Sequence, residues 1–151
     1  MTFDKFTIKA QEAIQEAVNL VQARGQQAIE PEHLLAGILK VGENVTNFLF
    51  QKLGVNSRQI EQVLESQIAS LPKVQGGEPY LSRESNEVLT RAQDYASKGG
   101  DEFVSLEPML LALLNVKSTA SRILKDAGIT EKELASAVNE LRKGEKVTSQ
   151  N

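Results

Sequence analysis

"AIEPEHLLAGILKVG", residues 28–42, carries the chain's single histidine next to Glu32 and close to Glu30. "FVSLEPMLLALLNV", residues 103–116, repeats its apolar spacing and one glutamate but has no histidine. In the first stretch Leu34, Leu35, Ile38 and Leu39 recur at helical spacing and predict an apolar stripe on one face. Pro31 suits the first turn, where its missing N–H costs nothing, and Gly42 supplies a stop. A metal site at His33 would want further histidines or a tight carboxylate cluster, and no second histidine exists. The position matching His33 in the second stretch is Pro108, so the shared pattern does not require an imidazole. His33 therefore reads as a structural helix-start residue, and the recurrence reads as a duplicated helical unit.

The duplication extends well beyond these two stretches. An offset of 75 aligns Phe6-Thr7 with Leu81-Ser82, Ile14 with Leu89, Gly25 with Gly100 and Glu32 with Glu107. After one deletion near residue 43 the offset becomes 74, and "LGVNSRQIEQVL" (53–64) then matches "AGITEKELASAV" (127–138). A period held over this much chain marks repeated supersecondary units. Thr7 predicts the N-cap of a first helix reaching about Arg24, with Gly25 as its stop. A short third helix follows over about 45–53, and Asn56 with Gln59 forms a capping pair for a fourth that Pro72 closes. Thr130 and Glu133 repeat that pair. The expected fold is all-α: two tandem four-helix repeats, 1–71 and 81–143, packed with pseudo-twofold symmetry around one core. "PKVQGGEPY" (72–80) is the linker, and polar residues 144–151 form a flexible tail.

Composition narrows the functional classes. A 151-residue chain can bury roughly 70% of its unfolded surface, so it needs no metal or disulfide to fold. It has no cysteine, which excludes thiol catalysis and cysteine-ligated zinc. A net charge of −3 with no basic block argues against nucleic acid as a partner. No apolar run approaches the ~20 residues of a membrane span, and the start has no signal-peptide pattern, so a cytoplasmic location is expected. Neither a G-x-S-x-G elbow nor a G-x-x-x-x-G-K-[ST] loop occurs, so this segment is expected to be non-catalytic, with no cofactor and no metal of its own.

The segments "FDKFTIKAQEAI", "IEPEHLLAGIL" and "LPKVQG", in their tandem arrangement, resemble the amino-terminal repeat domain of Clp ATPases, most of all its disaggregase branch. The likeness spans essentially the whole chain. It implies a docking platform that captures exposed apolar segments of unfolded or aggregated proteins and offers them to a homohexameric pore. It further implies ATP and Mg in the longer protein, a DnaK-type chaperone as co-worker, a monomeric isolated domain, and a tail leading toward an ATPase module. Substrate-binding positions carry over to Thr7, Asp101 and Glu107, with Leu89 as an apolar groove wall. Arg91 and Pro108 depart from the family's apolar groove positions and imply a narrower groove or different side-chain preferences. As surface residues, Asp101 and Glu107 should be replaceable by alanine without loss of the fold. Each carried-over position also has an ordinary structural reading: Thr7 as N-cap, Leu89 as core, the acids as helix-start residues. Two alternatives stand beside docking. One is an adaptor- or phosphoarginine-binding domain of a ClpC-like, protease-associated unfoldase, where both repeats usually carry a Glu-His pair; Glu32-His33 keeps it and Glu107-Pro108 does not. The other is a helical-repeat scaffold with no unfoldase attached.

Overall fold

A computed structural model describes residues 2–151 and consists of helices joined by short loops. The first repeat contains α1 (Ile8–Ala23), α2 (Pro31–Val41), α3 (Glu43–Leu53) and α4 (Ser57–Ala69). The second contains α5 (Arg83–Lys98), α6 (Leu106–Asn115), α7 (Thr119–Asp126) and α8 (Glu131–Arg142). The capping signals act as their chemistry dictates. Thr7, Asn56, Ser82 and Thr130 each accept the backbone N–H of the residue three positions on, at 3.1, 3.1, 3.1 and 3.2 Å. Helix α3 starts at Glu43, two residues earlier than the sequence predicts, because Gly42 ends α2 and serves at once as N-cap of α3.

Within each repeat the long first helix packs on the second, α1 on α2 and α5 on α6. Gly37 makes the first of these crossings possible, since a Cβ there would collide with the carbonyl oxygen of Ala13. The later helices pack across the repeats instead: α3 lies against α8, and α4 against α7. Phe6, Leu34, Ile38, Leu89, Met109 and Leu113 are among the fully buried side chains of one shared core.

Two short extended pairings also cross between the repeats. Strand β1 (Ala28–Ile29) pairs in parallel with β2 (Tyr80–Leu81), with Ile29 opposite Leu81. A single parallel bridge joins Phe6 to Val104. An offset of 75 carries Ile29 onto Val104 and Phe6 onto Leu81, so the bridge is the symmetry mate of the pairing. The start of each repeat is thus stitched to the first loop of the other. The last residue of the predicted linker, Tyr80, belongs to this pairing.

The flexible tail expected over 144–151 is corrected in part. Residues 147–150 lie along the body, and the Val147 and Gln150 backbone and the Gln150 side chain are hydrogen-bonded to it. The Glu102 N–H and the Ile8 N–H at the start of α1 have no helical acceptor, and carbonyls of the tail accept both.

Candidate functional site

The loop before the second helix of each repeat is where the two halves diverge chemically. In repeat one, His33 Nδ1 accepts the Glu30 N–H at 2.9 Å, which places the imidazole proton on Nε2. That nitrogen lies 2.8 Å from Gln26 Oε1, and Gln26 Nε2 donates to the Ile68 carbonyl at 2.7 Å. A neutral relay therefore ties the start of α2, through the loop, to the end of α4. Burial lowers the His33 pKa to about 4, with the Arg24 charge adding in the same direction. His33 is fully buried and its ring nitrogens are both engaged, in accord with its reading as a helix-start residue.

In repeat two the same connection is ionic. Offsets of 75 and 74 carry Gln26 onto Asp101 and Ile68 onto Arg142. Arg142 Nη1 meets Asp101 Oδ2 at 2.8 Å, while Arg142 Nε donates to Glu107 Oε1 at 2.9 Å. Arg142 Nη2 also donates to Ser105 Oγ at 2.8 Å, and that hydroxyl donates to Glu107 Oε1 at 3.2 Å. The Asp101, Glu107 and Arg142 side chains are only 1%, 10% and 16% exposed, so this is a largely desolvated clamp. Desolvation works to lower the Arg142 pKa, but hydrogen bonds and charges from Glu107 and Asp101 outweigh it and hold the guanidinium above its usual value. Glu32, the mate of Glu107, faces no such cation: Ile68 stands where Arg142 would be. Burial raises the Glu32 pKa, aided by the nearby Glu30 and Glu84 charges and opposed by a backbone hydrogen bond and Arg122.

The positions expected to bind substrate are thus only partly brought to a surface. Thr7 caps α1 and is buried, and its N–H donates to the Val104 carbonyl at 2.9 Å, next to the Asp101 loop. Asp101 and Glu107 meet on Arg142. Leu89 is the correction: it is fully buried in the shared core, as Ile14 is in the other repeat, and so forms no groove wall here. Pro108 is buried too, and Arg91 lies on the outer face of α5, paired with Glu87 at 3.3 Å. Arg142 escaped sequence reasoning because it lies 35 residues from Glu107. The available signal was the paired change between repeats, Gln to Asp at one end of the connection and Ile to Arg at the other.

Open apolar surface lies elsewhere. A groove of about 220 Å³ between α1, α2 and α4 is floored by Leu20, Ala36, Leu39, Leu64 and Ile68 and edged by Lys40, Glu61 and Glu65. At the positions matching Leu20 and Ala36, repeat two carries the larger Tyr95 and Leu111, and Tyr95 accepts a hydrogen bond from Asn115 at 2.9 Å. Among the described residues no cluster of three or more histidines, cysteines and acids could hold a metal ion. No helix among them is long and apolar enough to cross a membrane.

The chain, folded as a duplicated, mainly helical unit, matches the family described as the Clp repeat (R) N-terminal domain over residues 5–127 and belongs to that family. It is 73% identical over 150 residues to the chaperone protein ClpB of Bacteroides thetaiotaomicron, an alignment covering 99% of this chain and 17% of that protein. The chain therefore spans about one sixth of the length of this relative. Its fold is similar to that of the Hsp104 N-terminal domain from Candida albicans, with a TM-score of 0.87, 23% identity and 98% of each chain covered. It is also similar to a ClpV N-domain in complex with a VipB peptide, with a TM-score of 0.76, 17% identity, and 99% and 92% of the two chains covered.

Proposed function

We propose that this chain is the substrate-docking domain of an ATP-driven disaggregase chaperone, binding exposed apolar segments of unfolded or aggregated proteins for delivery to a hexameric pore. The observation that carries the reading is the open apolar groove between α1, α2 and α4, on a chain so closely related to a chaperone. Its apolar floor with few fixed polar anchors suits varied clients, since directional contacts would narrow the range. Single-site affinity would be weak and would gain from effective concentration when several copies sit on one assembly. The peptide held by the related ClpV domain supports a binding role for this fold. In this reading Thr7, Asp101 and Glu107, whose side chains are largely buried, and Leu89, in the core, support the fold and do not line that groove. The domain itself is non-catalytic, and ATP with Mg belongs to the longer protein, a cytoplasmic homohexamer working with a DnaK-type chaperone.

The test is an NMR titration of the domain with a carboxymethylated, permanently unfolded protein. Shifts should cluster around Leu39, Leu64 and Ile68, and a Leu39→Glu variant should weaken binding with the fold retained. Absence of binding, or shifts confined to remote faces, refutes the docking reading. Calorimetry with Mg-ATP should give no stoichiometric heat, and a micromolar site would refute the non-catalytic assignment.

A further inference from the structure

Residues 147–150 occupy a built edge of the molecule. The Val147 N–H donates to Asp101 Oδ1 at 3.0 Å, and the Val147 carbonyl accepts the Glu102 N–H at 2.7 Å. The Gln150 carbonyl accepts the Ile8 N–H, an unpaired first-turn donor of α1, at 2.7 Å. Gln150 Nε2 donates to the Asp4 carbonyl at 2.8 Å. Beside them the Lys146 stem lies over Gly100, whose φ is +84°. Asp101 is thus shared, one carboxylate oxygen holding Arg142 and the other holding the tail.

Three of the five bonds in this seam use the tail's own backbone and two use the Gln150 side-chain amide, so the edge reads mainly main chain, as in strand addition. The tail brings little apolar surface: Lys146, Thr148, Ser149 and Asn151 are exposed, and Val147 and Gln150 are half-buried. The edge itself offers an apolar side chain that the tail leaves uncovered, since Ile8 is 45% exposed beside its own bonded N–H. An extended apolar segment can replace the tail's backbone bonds one for one and cover Ile8 as well. The 72–80 linker shows the contrast. It crosses the matching loop of repeat one, with the Val74 N–H donating to the Gly25 carbonyl at 2.9 Å, but it is then locked into β2. The tail has no such lock, and segments held by few, exposed hydrogen bonds are the first to open.

We propose that residues 146–150 are a displaceable strap on the Ile8–Asp101–Glu102 edge, and that an extended apolar polypeptide segment takes their place on docking. The identity of the incoming segment rests on the docking function proposed above; the strap's seat does not.

The experiment uses the full 151-residue chain, the carboxymethylated unfolded protein as probe, and residue-resolved amide exchange. Bound probe should abolish protection of the Val147 amide while the Ile8 and Glu102 amides stay protected by their new partner. Val147→Pro, which deletes the donor to Asp101, should tighten probe binding, by about tenfold if the strap is open about a tenth of the time. Gln150→Ala, a milder change remote from the core, should move affinity the same way, and circular dichroism checks both folds. Probe binding with Val147 still protected and both variants unchanged overturns the strap while leaving docking intact. Failure of wild type and both variants to bind overturns docking and, with it, displacement by a client. Absence of Val147 protection in the free domain overturns the strap's seat alone.

Discussion

Arg142 is the residue on which the second repeat closes. Two carboxylates and a hydroxyl converge on one guanidinium that is mostly shielded from water, and removing one member strands the others. Breaking a buried pair by deleting one partner costs about 3–5 kcal/mol. Asp101→Ala and Arg142→Ala should therefore lower stability by that order in urea unfolding, in contrast to the near-neutral effect expected of surface acids. Losses under about 1 kcal/mol would show that solvent already screens the clamp. His33 gives a pH-dependent counterpart. Its folded pKa of about 4 lies below the ordinary 6.5, so between these values the unfolded chain takes up a proton that the folded chain refuses. Stability is complete above pH 6.5 and falls as pH drops toward 4, by roughly 3 kcal/mol in all. Comparing wild type with His33→Gln at pH 7 and pH 5 isolates this slope, because most carboxylates remain ionised there. Equal pH dependence in the two proteins would refute it. Glu32 carries the opposite sign. Burial raises its pKa, so its charge weakens the fold at neutral pH, and Glu32→Gln should raise the melting temperature at pH 7 with a gain that vanishes in acid.

At the scale of elements, α1 and α2 depend on a backbone-to-backbone approach. The Ala13 carbonyl occupies the space a Cβ at position 37 would need, and a carbonyl fixed inside α1 cannot swing aside. Gly37→Ala should destabilise by about 1–3 kcal/mol through overpacking, although alanine is the better helix former. A melting temperature unchanged or raised in the variant would mean that α2 can slide freely over α1. The helices were legible in the sequence because their causes are local. Thr7, Asn56 and Thr130 sit where a cap is needed, Gly25 and Gly54 adopt positive φ at helix ends, and the apolar stripes keep helical period. The crossing strands were not legible, since two residues such as Ala28–Ile29 are too short to show alternation. The tail's seat was equally hidden. Its polar composition reads as frayed, and its order comes from donors on residues 8 and 102 whose lack of partners is known only from the fold. For the candidate site, the sequence singled out Thr7, Asp101 and Glu107 but not the Arg142 that joins the two acids, and it placed Leu89 on a surface where packing buries it.

For the molecule as a whole, the duplication visible in the sequence is not a pair of independent halves. Helix α3 rests on α8 and α4 on α7, so each repeat leaves an apolar face that only the other covers. The β1–β2 pairing and the Phe6–Val104 bridge exchange hydrogen bonds in the same reciprocal way. The relays at Gln26 and Asp101 then fasten each loop to the last helix of its own repeat, α4 or α8, which the other repeat also supports. A chain severed between the repeats would expose both contacting faces, and fragments of about 70 residues have small cores to spare for that loss. Chemical unfolding of the intact chain should therefore be a single cooperative transition, with fluorescence from a probe in α3 coinciding with circular dichroism. Fragments 1–71 and 72–151 should each lack a cooperative melt alone and regain helicity when mixed. Two separated transitions, or a well-folded half, would mean that the interlock is decorative and that each repeat carries its own core. The reciprocal packing predicts the reverse, with damage in one half felt in the other: Phe50→Ala in repeat one should accelerate amide exchange in repeat two as well.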